Sequence, residues 1–334
     1  MIITKTPYRI SFVGGGTDLK SFYAEEAGQV LSVSINKYIY IVVKRQIGIV
    51  EYKYRVNWSK VEFKNSVDDI EHPIVREALK LLSIDFPIEI TTFADIPAQT
   101  GLGSSSAFAV GLVHALYALK CQMVTKHEIA NLAAHIEIDL LGRTIGKQDH
   151  YASAYGNLNV LTFHSNEEVT VEPVICNREI RRELESNLLL FYTRLKRDAS
   201  EILESQNDSV IKTRDILQKM RDLVPELRQV LNAESDKSDI SKFGRILHQN
   251  WMLKRSITND ISNPQIDEYY EKAKAAGAEG GKLLGAGGGG FLLFYVEPKF
   301  RQKVIDALND LYHMAVEFDS DGTRITYYDQ DNVI

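Results

Sequence analysis

Two glycines and three serines stand directly before a run of small and apolar residues in the segment DIPAQTGLGSSSAFAVGLVHAL, residues 95–116. Glycines let backbone N–H groups approach a ligand closely, and serines supply hydroxyl groups. A helix that begins here directs its unpaired N–H groups and the positive end of its dipole at the same point. The segment therefore predicts a phosphate-binding loop, with a glycine turn and a serine helix cap as the structural alternative.

A second glycine-rich segment, GAGGGG at residues 285–290, matches the dinucleotide pattern G-x-G-x-x-G. That pattern requires a following helix, because the pyrophosphate sits at the helix N-terminus. Here the strand-like FLLFYV follows, which argues against a nicotinamide or flavin enzyme. A Walker A pattern, G-x-x-x-x-G-K-[ST], does not occur in the sequence. The segment is either a flexible hairpin loop or a place where the backbone approaches a ligand.

Three segments, PYRISFVGGGTD, PAQTGLGSSSA and GKLLGAGGGGF, resemble in order and spacing the three motifs of the GHMP small-molecule kinases, and the resemblance runs from Pro7 to Phe291. It implies a kinase that transfers the γ-phosphoryl group of ATP without a Walker A loop. It also implies an α+β, two-lobed GHMP kinase fold, with an N-terminal lobe like ribosomal protein S5 domain 2 and a ferredoxin-like C-terminal lobe. We predict residues 1–180 as the first lobe, with the phosphate loop and the base, and residues 181–334 as the second.

The same resemblance implies the nucleotide site. The glycine-serine loop would hold the phosphates of ATP, and Ser105 would face Mg²⁺ together with Glu137. Mg²⁺ prefers oxygen ligands and keeps several waters, so one hydroxyl and one carboxylate suffice. A glutamate on a helix is otherwise usually just solvated, and Asp139 is the alternative carboxylate. The residues predicted to bind ATP are Gly101, Leu102, Gly103, Ser104, Ser105, Ser106 and Trp58.

Asp149 corresponds to the catalytic aspartate of the family, and Arg9 to the residue expected beside that base and the transferring phosphate. Asp149 lies at the apparent start of a helix, QDHYASAY, where the helix dipole favours the carboxylate form. Asp149 could instead be a helix cap, and Arg9 a surface charge. As a base, Asp149 would contribute roughly 100- to 10,000-fold to the rate, or it could mainly orient the acceptor.

The acceptor site departs from that of galactokinases, which carry glutamate and histidine where this chain has Gly15 and Gly16. Asp18 can still bind sugar hydroxyls, but the wider site argues against galactose. The segments IEHPIVREALK and IGKQDHYASAYGNLNVLTF resemble the branch of sugar kinases that phosphorylates the anomeric hydroxyl of D-glycero-D-manno-heptose 7-phosphate. Nearest relatives of that branch include the kinase part of L-fucokinases. An L-fucose-type sugar kinase and an isoprenoid-pathway kinase therefore remain alternatives.

A phosphorylated acceptor needs local cations, and GRTIGKQD and TRLKRDAS supply five. A basic loop is otherwise solvated, and Arg194 stands where this branch leads us to expect glycine. The residues predicted to bind the acceptor are Gly15, Gly16, Thr17, Asp18, Arg143, Lys147, Arg197, Gly287 and Gly288. A catalytically silent sensor could use the same loops, but the presence of Arg9, Glu137 and Asp149 together favours an enzyme.

Hydrophobic periodicity predicts the elements that position these residues. Strands are expected at IITKTPYRISFV, VLSVSI, KYIYIVVKRQ, IVEYKYRV, KVEFKN and PIEITTFA, with a helix at HPIVREALKLL, so the glycine-serine loop joins a strand to a helix. Another helix is predicted at residues 126–141. Long amphipathic helices follow between residues 198 and 276, with breaks near Pro225 and Pro264.

The chain has 334 residues, of which 44% are hydrophobic and 25% charged, as is typical of a soluble globular protein. A net charge of −6 argues against nucleic acid or an anionic membrane as partner. Two cysteines, Cys121 and Cys176, show no metal-ligand spacing, and no apolar segment has the length of a signal peptide or a membrane span. We therefore expect a cytoplasmic enzyme acting on ATP and a small molecule. Whether it forms a homodimer stays open.

Overall fold

A computed structural model describes residues 1–47, 49–195, 199–232 and 240–329 of the chain. The strands of these residues are β1 (Ile2–Val13), β2 (Gly28–Arg45), β3 (Tyr54–Asn57), β4 (Val61–Lys64), β5 (Ile88–Ala94), β6 (Leu158–Phe163), β7 (Val169–Pro173), β8 (Leu188–Tyr192), β9 (Gly280–Leu283), β10 (Phe291–Tyr295), β11 (Tyr312–Met314) and β12 (Arg324–Tyr328). The helices are α1 (Lys20–Tyr23), α2 (Pro73–Leu81), α3 (Ser104–Leu119), α4 (Lys126–His135), α5 (Gln148–Tyr155), α6 (Arg178–Asn187), α7 (Ala199–Val230), α8 (Lys242–Arg255), α9 (Pro264–Ala276) and α10 (Arg301–Ala307).

Eight strands form the first sheet, in the order β12-β1-β2-β5-β3-β4, with β6 paired to β2 and β7 to β6. The strands β1 and β2 pair along almost their whole length, from Ile2 opposite Val43 to Val13 opposite Leu31. The second half of β1 is continuously buried, because it is covered on both faces, and this half contains Arg9. The strand β12 returns from the far end of the sequence to pair with β1.

The helix α3 is the central helix of the first lobe and is buried along most of its length. It can lie close to the sheet because Gly111 has no side chain: a Cβ there would be 2.8 Å from Thr6 Oγ1. Thr4 Oγ1 also donates to the Gly111 carbonyl, at 2.9 Å. These contacts fix the helix on β1 and so fix the position of its N-terminus, which begins at Ser104.

The second sheet has four strands in the order β11-β8-β10-β9, all antiparallel to their neighbours. A separate apolar cluster joins it to α8, α9 and α10, with Trp251, Tyr270 and Phe294 fully buried. The two lobes also contact each other directly. Lys282 of β9 donates to the carbonyls of Ser11 and Phe12 in β1, each at 2.9 Å.

Most of the predicted elements are confirmed. The glycine-serine loop joins β5 to α3, a strand follows GAGGGG, and a new helix begins at Pro264. Four details were wrong. The strand predicted at IVEYKYRV begins only at Tyr54. The two strands predicted at VLSVSI and KYIYIVVKRQ form one strand, β2. The break predicted near Pro225 does not occur, because α7 continues through that residue. The helix predicted at residues 126–141 ends as α4 at His135 and passes into a wider π-helical turn, Ile136–Leu140.

The two sheets and their helices form the two-lobed α+β arrangement expected from the sequence. The lobe boundary at residue 180 stays a prediction, and β12 shows that the chain returns to the first sheet after the second. In the described part of the chain, no helix is long and apolar enough to cross a membrane.

Candidate active site

A cleft of about 830 Å³ lies where the three glycine-rich segments meet. Gly101 and Gly285 touch across it: a Cβ on Gly285 would be only 2.5 Å from Gly101 Cα. Both residues have positive φ angles, +82° and +75°, which glycine adopts without strain. The glycines therefore bring the phosphate loop of the first lobe into backbone contact with the loop of the second.

The phosphate loop ends at Gly103, which caps α3 with φ +77° and no side-chain hydrogen bond. The first-turn N–H groups of a helix have no partner within that helix, and here they belong to the three serines. Ser104, Ser105 and Ser106 all line the cleft. Leu102 does not, because its side chain is fully buried in the core and only its backbone lies in the loop.

Glu137 and Ser105, the two predicted magnesium ligands, contact each other through a short hydrogen bond from the serine hydroxyl. The π-helical turn carries Glu137, which is fully buried and also accepts from His150 Nε2 at 2.9 Å. Burial alone would raise the pKa of Glu137, but hydrogen bonds from His150 and Ser105 and the charge of Arg143 lower it overall. The carboxylate is thus held in its charged form.

Arg143 donates to both Ser105 Oγ and Glu137 Oε1. Its guanidinium therefore occupies a position between two hard oxygen donors, which is where a metal cation would be attracted. Its side chain is 35% exposed and can be displaced. The residues present thus fit Mg²⁺. Asp139, the alternative carboxylate, is 61% exposed, pairs with His135 at 2.7 Å and does not line the cleft.

Arg9 and Asp149 form a two-pronged ion pair in the centre of the cleft. Arg9 Nε and Nη2 donate to the two Asp149 oxygens, each at 2.6 Å, and Nη1 donates to the Gly101 carbonyl at 2.7 Å. Arg9 is buried and Asp149 is 21% exposed. A Cβ on Gly103 would lie 3.2 Å from Asp149 Oδ2. The carboxylate therefore adjoins the phosphate loop.

Asp18 is held beside this pair by Gln148, which donates to it from its backbone N–H at 3.2 Å and from Nε2 at 3.0 Å. The backbone of Gly146 passes so close that a Cβ there would be 1.8 Å from Asp18 Oδ2. Burial, and then the charge of Asp149, raise the pKa of Asp18. Two carboxylates thus share one side of the cleft.

The glycines predicted to bind the acceptor divide into two groups. Gly15, Gly16 and Gly287 line the cleft, while Gly288 does not and donates instead to the Ile261 carbonyl at 3.0 Å. Thr17 also lies behind the cleft, because its hydroxyl donates to the carbonyls of Gly14 and Gln29 and so fixes the loop.

Trp58 also lines the cleft, in an aromatic group with His72 and Phe108. Trp58 Nε1 donates to Glu62 at 2.8 Å, and the ring meets His72 edge-on at 4.8 Å. Burial lowers the pKa of His72 to about 4, so the imidazole is neutral at pH 7. This aromatic group suits the flat ring of a nucleobase, and its member Phe108 belongs to α3.

Of the three cations predicted for a distal phosphate, the two that the structure describes have different partners. Arg143 faces the serines, as described above. Lys147 donates to Glu167 and does not line the cleft. Arg197 lies outside the described residues.

Sequence reasoning missed several polar residues of the cleft, among them Ser11, Gln148, Lys254 and Lys282. Ser11 Oγ and Gln148 Oε1 are buried and have no hydrogen-bond partner in the described part of the chain. Gln148 directly precedes the predicted site residue Asp149 in the sequence, and this position could have identified it as a site residue. Lys254 lies on a helix remote in sequence from every motif, and no pattern pointed to it.

Residues 73–157 match the family described as "GHMP kinases N terminal domain", and residues 220–313 match "GHMP kinases C terminal". The chain therefore belongs to the GHMP kinases and is an ATP-dependent phosphotransferase.

Among curated proteins, the chain is 30% identical over 318 residues to the D-glycero-alpha-D-manno-heptose 7-phosphate kinase of Campylobacter jejuni, covering 92% of this chain and 93% of that protein. It is 26% identical over 317 residues to the bifunctional fucokinase/GDP-fucose pyrophosphorylase of Arabidopsis thaliana, covering 89% of this chain but only 30% of that longer protein. Among solved structures, a D-glycero-D-manno-heptose 1-phosphate kinase from Bacteriodes thetaiotaomicron superposes with a TM-score of 0.79 at 26% identity, covering 98% and 99% of the two chains.

Proposed function

We propose that this kinase transfers the γ-phosphoryl group of ATP to the anomeric hydroxyl of D-glycero-D-manno-heptose 7-phosphate and forms the 1,7-bisphosphate. The observation that carries the proposal is that Asp18 and Asp149 line the same cleft, with Asp149 beside the phosphate loop and Gly15 and Gly16 also in the lining. The similarity to the Campylobacter heptose 7-phosphate kinase, which extends over both chains, supports this acceptor.

Each side of the cleft has a separate task in this proposal. The first-turn amides of α3 and the serine hydroxyls bind the phosphates, and the aromatic group at Trp58 binds adenine. Ser105 and Glu137 hold Mg²⁺, which neutralises phosphate charge when bound. Arg143, once displaced from these two residues, remains near enough to pair with a phosphate.

Asp149 accepts the proton of the anomeric hydroxyl while the hydroxyl oxygen attacks the γ-phosphorus of ATP. Arg9 holds the Asp149 carboxylate in place. Arg9 also ties the carboxylate to the Gly101 carbonyl of the phosphate loop, so base and donor keep a constant separation. Orientation of this kind supplies much of the catalysis in phosphoryl transfer, since little covalent chemistry is left to the protein. Asp18, Ser11 and Gln148 provide acceptor and donor atoms for the hydroxyls of the sugar.

The 7-phosphate must be held away from the transfer centre, and Arg197 is our candidate. Leu195, just before the undescribed residues 196–198, is tied to the glycine loop because its carbonyl accepts from the Gly290 N–H at 3.0 Å. The chain at residue 195 therefore adjoins the cleft. Lys147, which is paired with Glu167, serves as a control cation.

The test is ATP consumption with heptose 7-phosphate, unphosphorylated heptose, L-fucose, galactose and mevalonate, followed by ³¹P NMR of the product. We expect the highest kcat/KM with heptose 7-phosphate and a new signal from an anomeric phosphate. Arg197→Ala should lower kcat/KM for the phosphorylated heptose far more than for the plain one, whereas Lys147→Ala should lower both alike. Equal activity on L-fucose or plain heptose would overturn the assignment of the acceptor.

A further inference from the structure

Lys254 is a buried lysine that forms no direct ion pair with any residue that the structure describes. It is 8% exposed, lines the cleft, and has no carboxylate within 4 Å among the described residues. In that part of the chain its ammonium donates one hydrogen bond, to the Gly285 carbonyl. An ammonium has three N–H donors, so two remain for a ligand in the cleft. Burying a charge in this way is costly unless a partner of opposite sign binds.

The surroundings of Lys254 place it at the transfer centre. Four charged groups act on it: Arg9 of β1 and Lys282 of β9, which repel it, and Asp18 and Asp149, which attract it. Its hydrogen-bond acceptor Gly285 is in backbone contact with Gly101 of the phosphate loop. Lys254 therefore approaches from the second lobe the same region that Arg9 approaches from the first.

Lys282 differs from Lys254 although both are buried. Its ammonium donates to the carbonyls of Ser11 and Phe12, so it has a structural task at the contact between the lobes. Lys254 and Arg9 nevertheless both bring positive charge to this part of the cleft, which suits an anion. During the reaction, the transferring phosphoryl group carries the largest negative charge near Asp149.

We propose that Lys254 binds the γ-phosphoryl group as it passes from ATP to the acceptor and is a catalytic residue of this kinase. The bond between the γ-phosphorus and the β–γ bridging oxygen breaks, the acceptor oxygen bonds to the γ-phosphorus, and ADP leaves. The hydroxyl proton passes to Asp149, and Lys254 keeps its protons throughout. The inference rests on the phosphoryl transfer and the role of Asp149 in the proposed function, and is independent of which sugar accepts.

The charge of Lys254 makes the reaction sensitive to pH. Burial, followed by the charge of Arg9, lowers the pKa of Lys254 to about 8, against the attraction of Asp18 and Asp149. The ammonium form is present below that pH and is lost above it. We therefore expect kcat to fall as the pH rises through about 8, and we expect this fall to move to higher pH in Lys254→Arg, because a guanidinium stays protonated.

The decisive experiment measures binding of MgADP alone and of MgADP with aluminium fluoride, an analogue of the transferring phosphoryl group, by calorimetry without any sugar. Lys254→Met should weaken binding of the aluminium fluoride complex by about 10-fold or more and lower kcat by about 100-fold, as for other groups that stabilise transition-state charge. Its affinity for MgADP should change little, which also shows that the variant is folded.

Lys274→Met is the matched control, since Lys274 likewise donates to a backbone carbonyl, of Glu279 at 2.7 Å, but lies outside the cleft. It should bind both complexes as the wild type does. Should Lys254→Met fail to fold, Lys254→Gln and the wild-type pH profile take its place. The proposal is overturned by undiminished binding of the aluminium fluoride complex, by an equal loss of MgADP binding, or by a flat profile to pH 9.5. A failure of the heptose assignment appears only in the acceptor panel.

Discussion

At the scale of single residues, the pair Arg9–Asp149 determines how the site can work. Both carboxylate oxygens accept from the guanidinium at 2.6 Å, so the carboxylate cannot rotate away from the phosphate loop. Two-pronged hydrogen bonds of this kind fix geometry as well as charge. In the proposed function, the pair therefore holds the base in place before either substrate binds.

We expect Asp149→Asn to lower kcat by about 100-fold or more while the affinity for ATP changes little, because the base is lost and the nucleotide contacts remain. Turnover with saturating substrates gives kcat, and calorimetry gives the affinity for ATP. Asparagine keeps the volume of the side chain, so packing around Arg9 is preserved. Near-normal turnover would contradict the role of Asp149 as base.

The carboxylate of Glu137 provides a second residue-level prediction. Glu137→Gln keeps the shape of the side chain but removes its charge, so the enzyme should need several-fold more Mg²⁺ for half-maximal rate. Asp139→Asn is the control, since Asp139 is exposed and lies two residues away. The rate is measured against Mg²⁺ concentration for the wild type, Glu137→Gln and Asp139→Asn. A curve for Glu137→Gln that coincides with the wild type would remove Glu137 from the metal site.

At the scale of elements, the helix α7 runs without a break through Pro225. A proline inside a helix removes one hydrogen bond and crowds the preceding turn, at a cost of about 3 kcal/mol. Part of this is offset by the smaller entropy of the unfolded chain. Apolar contacts of neighbouring residues, with Val224 and Leu227 fully buried in the core, keep the helix continuous.

We expect Pro225→Ala to raise the free energy of unfolding by about 1–2 kcal/mol, because the hydrogen bond is restored on an exposed face of the helix. Chemical denaturation measures the change, and turnover should be unaffected. Glu226→Ala, an equally exposed neighbour, should change stability by less than about 0.5 kcal/mol. A lower free energy of unfolding for Pro225→Ala would contradict this prediction and would mean that the proline stabilises the helix.

The elements also show what the sequence could and could not predict. The sequence assigns Arg9, Glu137 and Asp149 through their resemblance to GHMP kinase motifs. The phosphate loop also has a short local pattern, two glycines followed by three serines at a helix start. Glu137 lies on a π-helical turn, which residue propensities do not specify. Lys254 reaches the cleft only because the second lobe packs on the first, and a contact between parts so distant in sequence leaves no periodic signal.

At the scale of the whole molecule, the contact of Gly101 with Gly285 links the nucleotide loop to the second lobe. We expect Gly285→Ala to lower stability by more than 1 kcal/mol and to raise the KM for ATP, since a Cβ at 2.5 Å from Gly101 Cα would push the loops apart. Thermal unfolding and initial rates measure both effects.

Gly142→Ala is the matched control for the backbone strain alone. Gly142 also has a positive φ, +63°, but a Cβ there would meet nothing within 4 Å. Its stability loss should be the smaller of the two and its KM for ATP unchanged. Equal effects of the two substitutions would show that strain, and not the contact between the loops, matters.

The pairing of β12 with β1 has a consequence for how the protein is made. The residues of β1 leave the ribosome long before their partner on one side, because Tyr328, which lies opposite Ile2, follows more than 300 residues later. Until then the nascent first lobe presents an open strand edge, and such edges invite pairing with other chains. The second lobe, which lies between these two strands in sequence, is synthesised before that edge can close.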